Sequence, residues 1–128
     1  MKSCDFKNIL KQESFNIGID LSDKQLEKFE LYKNLLVEWN AKMNLTAITE
    51  DYEVIMKHFI DCLESVKYIE KDSKVIDIGT GAGFPGIVIA IYFNESIDLT
   101  LLDSLNKRLI FLEEVVNKAY EVAREGEV

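Results

Sequence analysis

The stretch VIDIGTGAGFPGIVIAI, residues 75–91, restricts the possible folds more than any other part of the chain. An apolar run delivers the backbone to Gly79, Gly81 and Gly83 at alternate positions, and apolar residues resume after Pro85. Glycines so placed tolerate unusual dihedrals and leave no side chains in the way of a close approach. Pro85 suits a first helical turn, where its missing amide hydrogen costs little. The stretch therefore predicts a buried strand over 75–78, a tight loop, and a helix over about 86–93. Backbone amides and the helix N-terminus would then favour an anionic or polar ligand group.

The sequence on either side extends this unit. Residues 97–102, IDLTLL, form a second apolar-rich strand closed by Asp103, and a last helix over about 105–122 places Leu109, Leu112, Val116 and Tyr120 on one side. Strand, helix, strand, helix with short joints is the pattern of a parallel α/β sheet. Upstream the signals are helical. Phe6, Ile9, Leu10 and Phe15 space a short amphipathic helix over 3–15, stopped near Gly18. Ser22 with Gln25 three residues on is a capping-box start. It opens a helix whose apolar face holds Leu26, Phe29, Tyr32, Leu35, Leu36 and Trp39, with Lys24, Glu27, Lys28 and Glu38 toward water. That stripe has the pattern of core. WNAKMNLTAIT, residues 39–49, breaks the pattern as a connecting segment, in which Asn44 and Thr46 would cap or cross-link. Thr49 is a plausible N-cap for a helical stretch to about residue 69, with a break near Phe59.

Composition excludes several classes. Charged residues make up 30% and hydrophobic residues 48% of the 128 residues, which suits one globular domain rather than a disordered chain. Apolar runs are far too short to span a bilayer, and the N-terminus lacks a signal-peptide apolar region. Cys4 and Cys62 form neither a CxxC pair nor a disulfide framework. Together these features predict a cytoplasmic protein with no membrane partner and no metal site. The net charge is −8, and residues 51–128, with eight basic and fifteen acidic groups, hold most of it. That sign is wrong for a chain gripping nucleic acid through phosphates by itself.

Two ligand classes fit the glycine loop. Residues 81–86, GAGFPG, match the dinucleotide fingerprint G-x-G-x-x-G, and residues 77–83, DIGTGAG, match the D-x-G-x-G-x-G pattern of S-adenosylmethionine-dependent methyltransferases. In both, Asp103 stands where an acid meets ribose hydroxyls. Asp77 favours S-adenosylmethionine, because an acid at that point helps neutralise an ammonium and a sulfonium and repels a pyrophosphate.

Four segments in order and spacing, VEWNAKMNLTAIT, KHFIDCLES, VIDIGTGAGFPGIVIAI and LTLLDSLNKRLIFLEEV, resemble the front half of the RsmG (GidB) family over about residues 20–118. These are bacterial small-subunit rRNA guanine-N7 methyltransferases. The resemblance implies an α/β fold, with a Rossmann-like parallel methyltransferase sheet behind an N-terminal helical cap. It further implies methyl transfer from S-adenosylmethionine to a guanine N7 of 16S rRNA. By the same resemblance Gly79 and Phe84 are cofactor contacts, Asp77, Gly81 and Gly83 shape the loop, and Asp103 is the ribose acid. His58, Phe59 and Asp61 fall on the family's His-Phe-x-Asp motif as site-shaping residues, and Cys62 replaces the serine that usually follows. No catalytic residue is identified. Attack by N7 needs no base, since that nitrogen carries a free lone pair, and the task is one of positioning.

The resemblance stops after Lys118. AYEVAREGEV stands where the family turns into a third strand, and neither the Ala-Glu pair of that strand nor the Arg following a fourth has a counterpart. The expected organisation is thus a helical cap over 1–70 and an incomplete S-adenosylmethionine-binding α/β domain over 71–128, truncated after the second strand. Such a sheet would expose an edge and apolar faces. That exposure motivates a second expectation, a non-catalytic interaction module or inactive fragment. A dinucleotide-dependent oxidoreductase rests on GAGFPG alone.

Overall fold

A computed structural model describes residues 3–46, 50–94 and 96–125 of the chain. Helix α1 (Ser3–Asn16) buries Phe6 and Leu10 completely. Phe15, expected on that face, is instead 64% exposed, and Ser14 is buried. The helical repeat explains the difference: four residues beyond Leu10 return near its own side, whereas five overshoot by about 140°.

Helix α2 (Asp23–Met43) starts at the expected capping box. The amide of Gln25 donates to Ser22 Oγ at 3.1 Å, and the amide of Ser22 donates to Gln25 Oε1 at 2.8 Å. Its stripe Leu26, Phe29, Tyr32, Leu35 and Leu36 is buried. Two expectations change here. Residues 39–43 continue the helix instead of beginning a connector, and the helix ends at Asn44, which adopts the left-handed conformation (φ 52°) that asparagine tolerates at such ends. Lys28 is buried rather than solvated, because its ammonium donates to Asn94 Oδ1 at 2.8 Å.

The proposed cap Thr49 lies outside the described residues. Glu50 caps α3 (Asp51–Glu53), its carboxylate accepting from the amides of Tyr52 and Glu53 at 3.1 and 3.0 Å. The backbone then does not break near Phe59. It widens into a π-helical turn (Val54–Ile60), returns to α-helix in α4 (Asp61–Leu63), and tightens to a 3-10 turn (Glu64–Tyr68). Single π-helical turns of this kind concentrate at functional sites.

Strand β1 (Lys74–Ile78) leads through the glycine loop into α5 (Gly86–Phe93), followed by β2 (Asp98–Leu102) and α6 (Asn106–Glu125). The strands pair in parallel, Lys74 opposite Asp98 and Ile78 opposite Leu102. Helix α6 buries Phe111, Leu112 and Val115, while Leu109 is half-buried, Val116 is 52% exposed, and the side chain of Tyr120 lies outside the described residues. The stripe is rotated from the expected one because α6 packs chiefly on α2, with Trp39 and Phe111 rings 5.9 Å apart. Val116 and Leu101 instead line a groove of about 420 Å³ between α5, β2 and α6.

One hydrophobic cluster joins the two halves of the chain: Phe6, Phe29, Tyr32 and Phe59 from the helices meet Val88, Ile89, Phe111 and Leu112 from the α/β unit. The sheet is covered on one face only. Val75, Asp77, Leu99 and Leu101 point inward and are half-buried, whereas Ile76, Ile78 and Leu102 on the other face are 61%, 79% and 47% exposed. The expected uncovered apolar surface is therefore greatest on that second face, with the groove beside Leu101 and Val116 a smaller one on the first. Among the described residues no helix is long and apolar enough to cross a membrane, and no group of three or more potential metal ligands occurs.

Candidate cofactor-binding site

The glycine loop opens directly from the ends of the two strands. The amides of Gly79 and Thr80 both donate to the carbonyl of Leu102, at 2.8 and 3.0 Å, so the end of β2 holds the start of the loop. The loop then coils back on itself, with the amides of Gly83 and Phe84 donating to Thr80 O at 2.9 and 3.2 Å. A Cβ added at Gly79 or Gly81 would meet nothing within 4 Å, so on that side the backbone borders open space. Gly83 is different. With φ of 100°, it is packed so closely that a Cβ would lie 2.6 Å from Ile87 Cγ1 and 2.7 Å from Tyr32 Oη. Thr80 is buried, and its hydroxyl has no hydrogen-bond partner among the described residues.

Two carboxylates hold this loop in place. Asp77 Oδ2 accepts from the amide of Gly86 at 2.9 Å, at the first residue of α5. The N-terminus of α5, expected to face a ligand, is thus already met by an acid from β1. An acid there satisfies the exposed amide and complements the helix dipole, and it places a negative charge where a pyrophosphate would otherwise sit. Asp103 Oδ2 accepts from the amide of Gly81 at 2.8 Å, and Oδ1 accepts from the amide of Leu105 at 2.9 Å. Arg108 brings its guanidinium to 3.4 Å from both oxygens. The amide of Leu105 and then that of Gly81 hold the Asp103 carboxyl below its usual value, partial desolvation works the other way, and Arg108 lowers it again. It is a carboxylate at any physiological pH.

The far side of the loop is lined by the helical cap. His58, on the π-helical turn, stacks on Phe84 with ring centroids 4.1 Å apart and planes within 7°. Its Nε2 lies 3.1 Å from the hydroxyl of Thr46, whose amide donates to Asn40 Oδ1 at 2.8 Å. Burial lowers the His58 pKa, with the charge of Asp61 acting in the opposite direction, so the ring is neutral near pH 7. Phe59 points the other way, into the core, where its ring is 5.0 Å from Phe29, 5.6 Å from Tyr32 and 6.3 Å from Phe6. Asp61 is exposed. The thiol of Cys62 is half-buried and pushed up to about 12, by burial first and then by Asp61 and Asp77.

The predicted residues are thus sorted into three places. Gly79, Gly81, Gly83, Phe84, Asp77 and Asp103 gather at the loop, His58 stacks on Phe84, Phe59 reaches Phe84 at 6.3 Å from within the core, and Asp61 stands apart at the surface. The sequence places Tyr32 on a core face and Thr46 as a capping or cross-linking residue, but it does not connect either of them, or Arg108, with the loop. A tyrosine within a buried apolar stripe is itself a signal, since its hydroxyl must find a partner. Arg108 lies five residues beyond Asp103, and nothing in that spacing announces their pairing.

A parallel strand, a glycine loop, a helix and a second strand, with an acid near the end of each strand, define the Rossmann-like class of nucleoside-cofactor folds. Within that class the chain belongs to the rRNA small subunit methyltransferase G (GidB) family, whose sequence model matches residues 25–122. The fold is accordingly part of an S-adenosylmethionine methyltransferase sheet, preceded by N-terminal helices. Among its relatives, the ribosomal RNA small subunit methyltransferase G of Clostridium perfringens (strain 13 / Type A) is 55% identical over 113 residues, covering 87% of this chain and 47% of that protein. The protein of the same name from Clostridium botulinum (strain Eklund 17B / Type B) is 56% identical over 115 residues, 88% of this chain and 48% of its own. That of Alkaliphilus metalliredigens (strain QYMF) is 51% identical over 111 residues, 85% and 46%. The chain spans about half the length of the curated relatives it matches.

Proposed function

We propose that the chain is the S-adenosylmethionine-binding portion of a methyltransferase that modifies guanine N7 in 16S rRNA. The observation that carries this reading is the placement of Asp77 and Asp103 on either side of an open glycine loop. The donor set suits the ligand. Asp103 is ionised and fixed by two amides, and ribose hydroxyls would take the place of its long 3.4 Å contacts with Arg108, while Asp77 helps offset an ammonium and a sulfonium. Gly79 and Gly81 would lie against the cofactor, and Phe84, backed by the ring of His58, would border it.

S-adenosylmethionine supplies a methyl group activated by its sulfonium. The chain's own residues have to hold and orient, because guanine N7 carries a lone pair and gives up no proton. His58 fits such a role. It is neutral and stacked, and Thr46 holds one of its ring nitrogens, so it supports Phe84 rather than transferring a proton. The net negative charge of residues 51–128 leaves any grip on rRNA phosphates to a local basic patch or to sequence outside this chain.

Calorimetry with S-adenosylmethionine and with NAD tests the ligand class. Binding of S-adenosylmethionine alone is expected, and tighter binding of NAD would overturn the reading. The exposed face of Ile76, Ile78 and Leu102 favours a second reading, an interaction module without catalysis. Methylation of 16S rRNA by the purified 128-residue chain would exclude it.

A further inference from the structure

The side chain beneath the glycine loop comes from the helical cap. Tyr32, in the middle of α2, is completely buried. Its ring stacks against Phe59 at 5.6 Å and lies 5.4 Å from Phe84 and 6.4 Å from Phe111. Its hydroxyl donates to the carbonyl of Ala82, the residue between Gly81 and Gly83. That carbonyl and the amide of Gly83 belong to one peptide plane, and the amide donates to Thr80 O at 2.9 Å. The plane is thus held at both edges, by the cap on one side and by the loop itself on the other. Burial raises the Tyr32 phenol well above its usual pKa, with Cys62 and Asp77 adding to the effect, so the donor proton stays in place.

We infer that Tyr32 is a positioning residue for the cofactor loop, acting through the Ala82–Gly83 peptide. Phenylalanine at this position would fill the same space and make the same ring contacts. It could not set the plane, and it would leave a buried carbonyl unpaired. A core role would need only the ring, whereas the positioning role needs the hydroxyl. The inference rests on the S-adenosylmethionine reading above, and its test separates the two.

The test uses Tyr32→Phe and Leu10→Val in the 128-residue chain, the latter as a core change in α1. Amide hydrogen exchange and calorimetric titration with S-adenosylmethionine are measured well below each melting temperature. Tyr32→Phe is expected to speed exchange at Gly83 and Phe84 about tenfold and to weaken binding about tenfold, the equivalent of one net buried hydrogen bond. Leu10→Val should lower the melting temperature while leaving both quantities within about twofold, since its loss is of packing alone. Unchanged exchange and affinity in Tyr32→Phe would overturn the inference, as would an equal loss in Leu10→Val. If the unmodified chain does not bind S-adenosylmethionine, the cofactor reading falls. The exchange measurement then decides by itself whether Tyr32 holds the loop, and protection unchanged by Tyr32→Phe overturns that too.

Discussion

The two sides of β1 differ sharply in what they touch. Toward the helices lies a cluster of completely buried rings, Phe6, Phe29, Tyr32, Phe59 and Phe111. On the opposite side Ile76 and Ile78 stand in solvent. Parallel sheets are normally covered on both faces, so the chain as it stands completes one half of that arrangement. The glycine loop lies at the seam between the two sides. Tyr32, the stacked His58 and Leu112 behind Gly83 support it from the covered side, while Asp77 and Asp103 hold it from the strand ends.

The largest effect that could break this contrast belongs to Phe59. Phe59→Ala empties the middle of the ring cluster and should cost about 3–5 kcal/mol in urea unfolding; a loss under about 1 kcal/mol would show the cluster to be loosely packed. Cys62 probes the same side chemically. Its thiol, pushed up to about 12, should react with a disulfide reagent at pH 8 about a thousandfold more slowly than in the urea-unfolded chain, measured in a Cys4→Ser background. Comparable rates in the two states would mean that the site opens readily to water.

Gly83→Ala sharpens the comparison at the seam. The new Cβ meets Ile87 and Tyr32 in a left-handed backbone conformation, and a loss of about 2–3 kcal/mol is expected, read as a lowered melting temperature. The smallest effect belongs to the open face. Ile78→Thr should change stability by no more than about 0.5 kcal/mol, since its side chain has little packing to lose. A penalty approaching that of Phe59→Ala would show that another polypeptide covers Ile78 in solution.

Much of this was legible in the sequence, for reasons that can be named. The capping box at Ser22, the parallel strands and the bounds of α5 follow from local chemistry that tertiary contacts did not override. Spacing alone could not show that Lys28 is buried, because only the later chain brings Asn94 to it. Nor could it show the π-helical turn, which preserves apolar residues at nearly helical intervals while shifting which of them point inward. At the loop, the glycines and both acids were recognisable by type and spacing. The partners of those acids were not: Asp77 finds Gly86 and Asp103 finds Gly81 only once the strands align. Tyr32 was hidden because a hydropathy stripe weighs its ring and overlooks its hydroxyl.

Helix α5 has only eight residues, fewer than an isolated helix needs to persist in water. Helix α2 runs beside it as a splint. Gln25 donates to the carbonyl of Tyr92 at 2.8 Å and Lys28 to the side chain of Asn94, both at the C-terminal end of α5, while Tyr32, one turn further along α2, takes the loop that precedes it. The same rod thus holds α5 at its C-terminal end and holds the loop before its start. Any displacement of the loop would therefore strain its contacts with α2 as well as its own backbone hydrogen bonds.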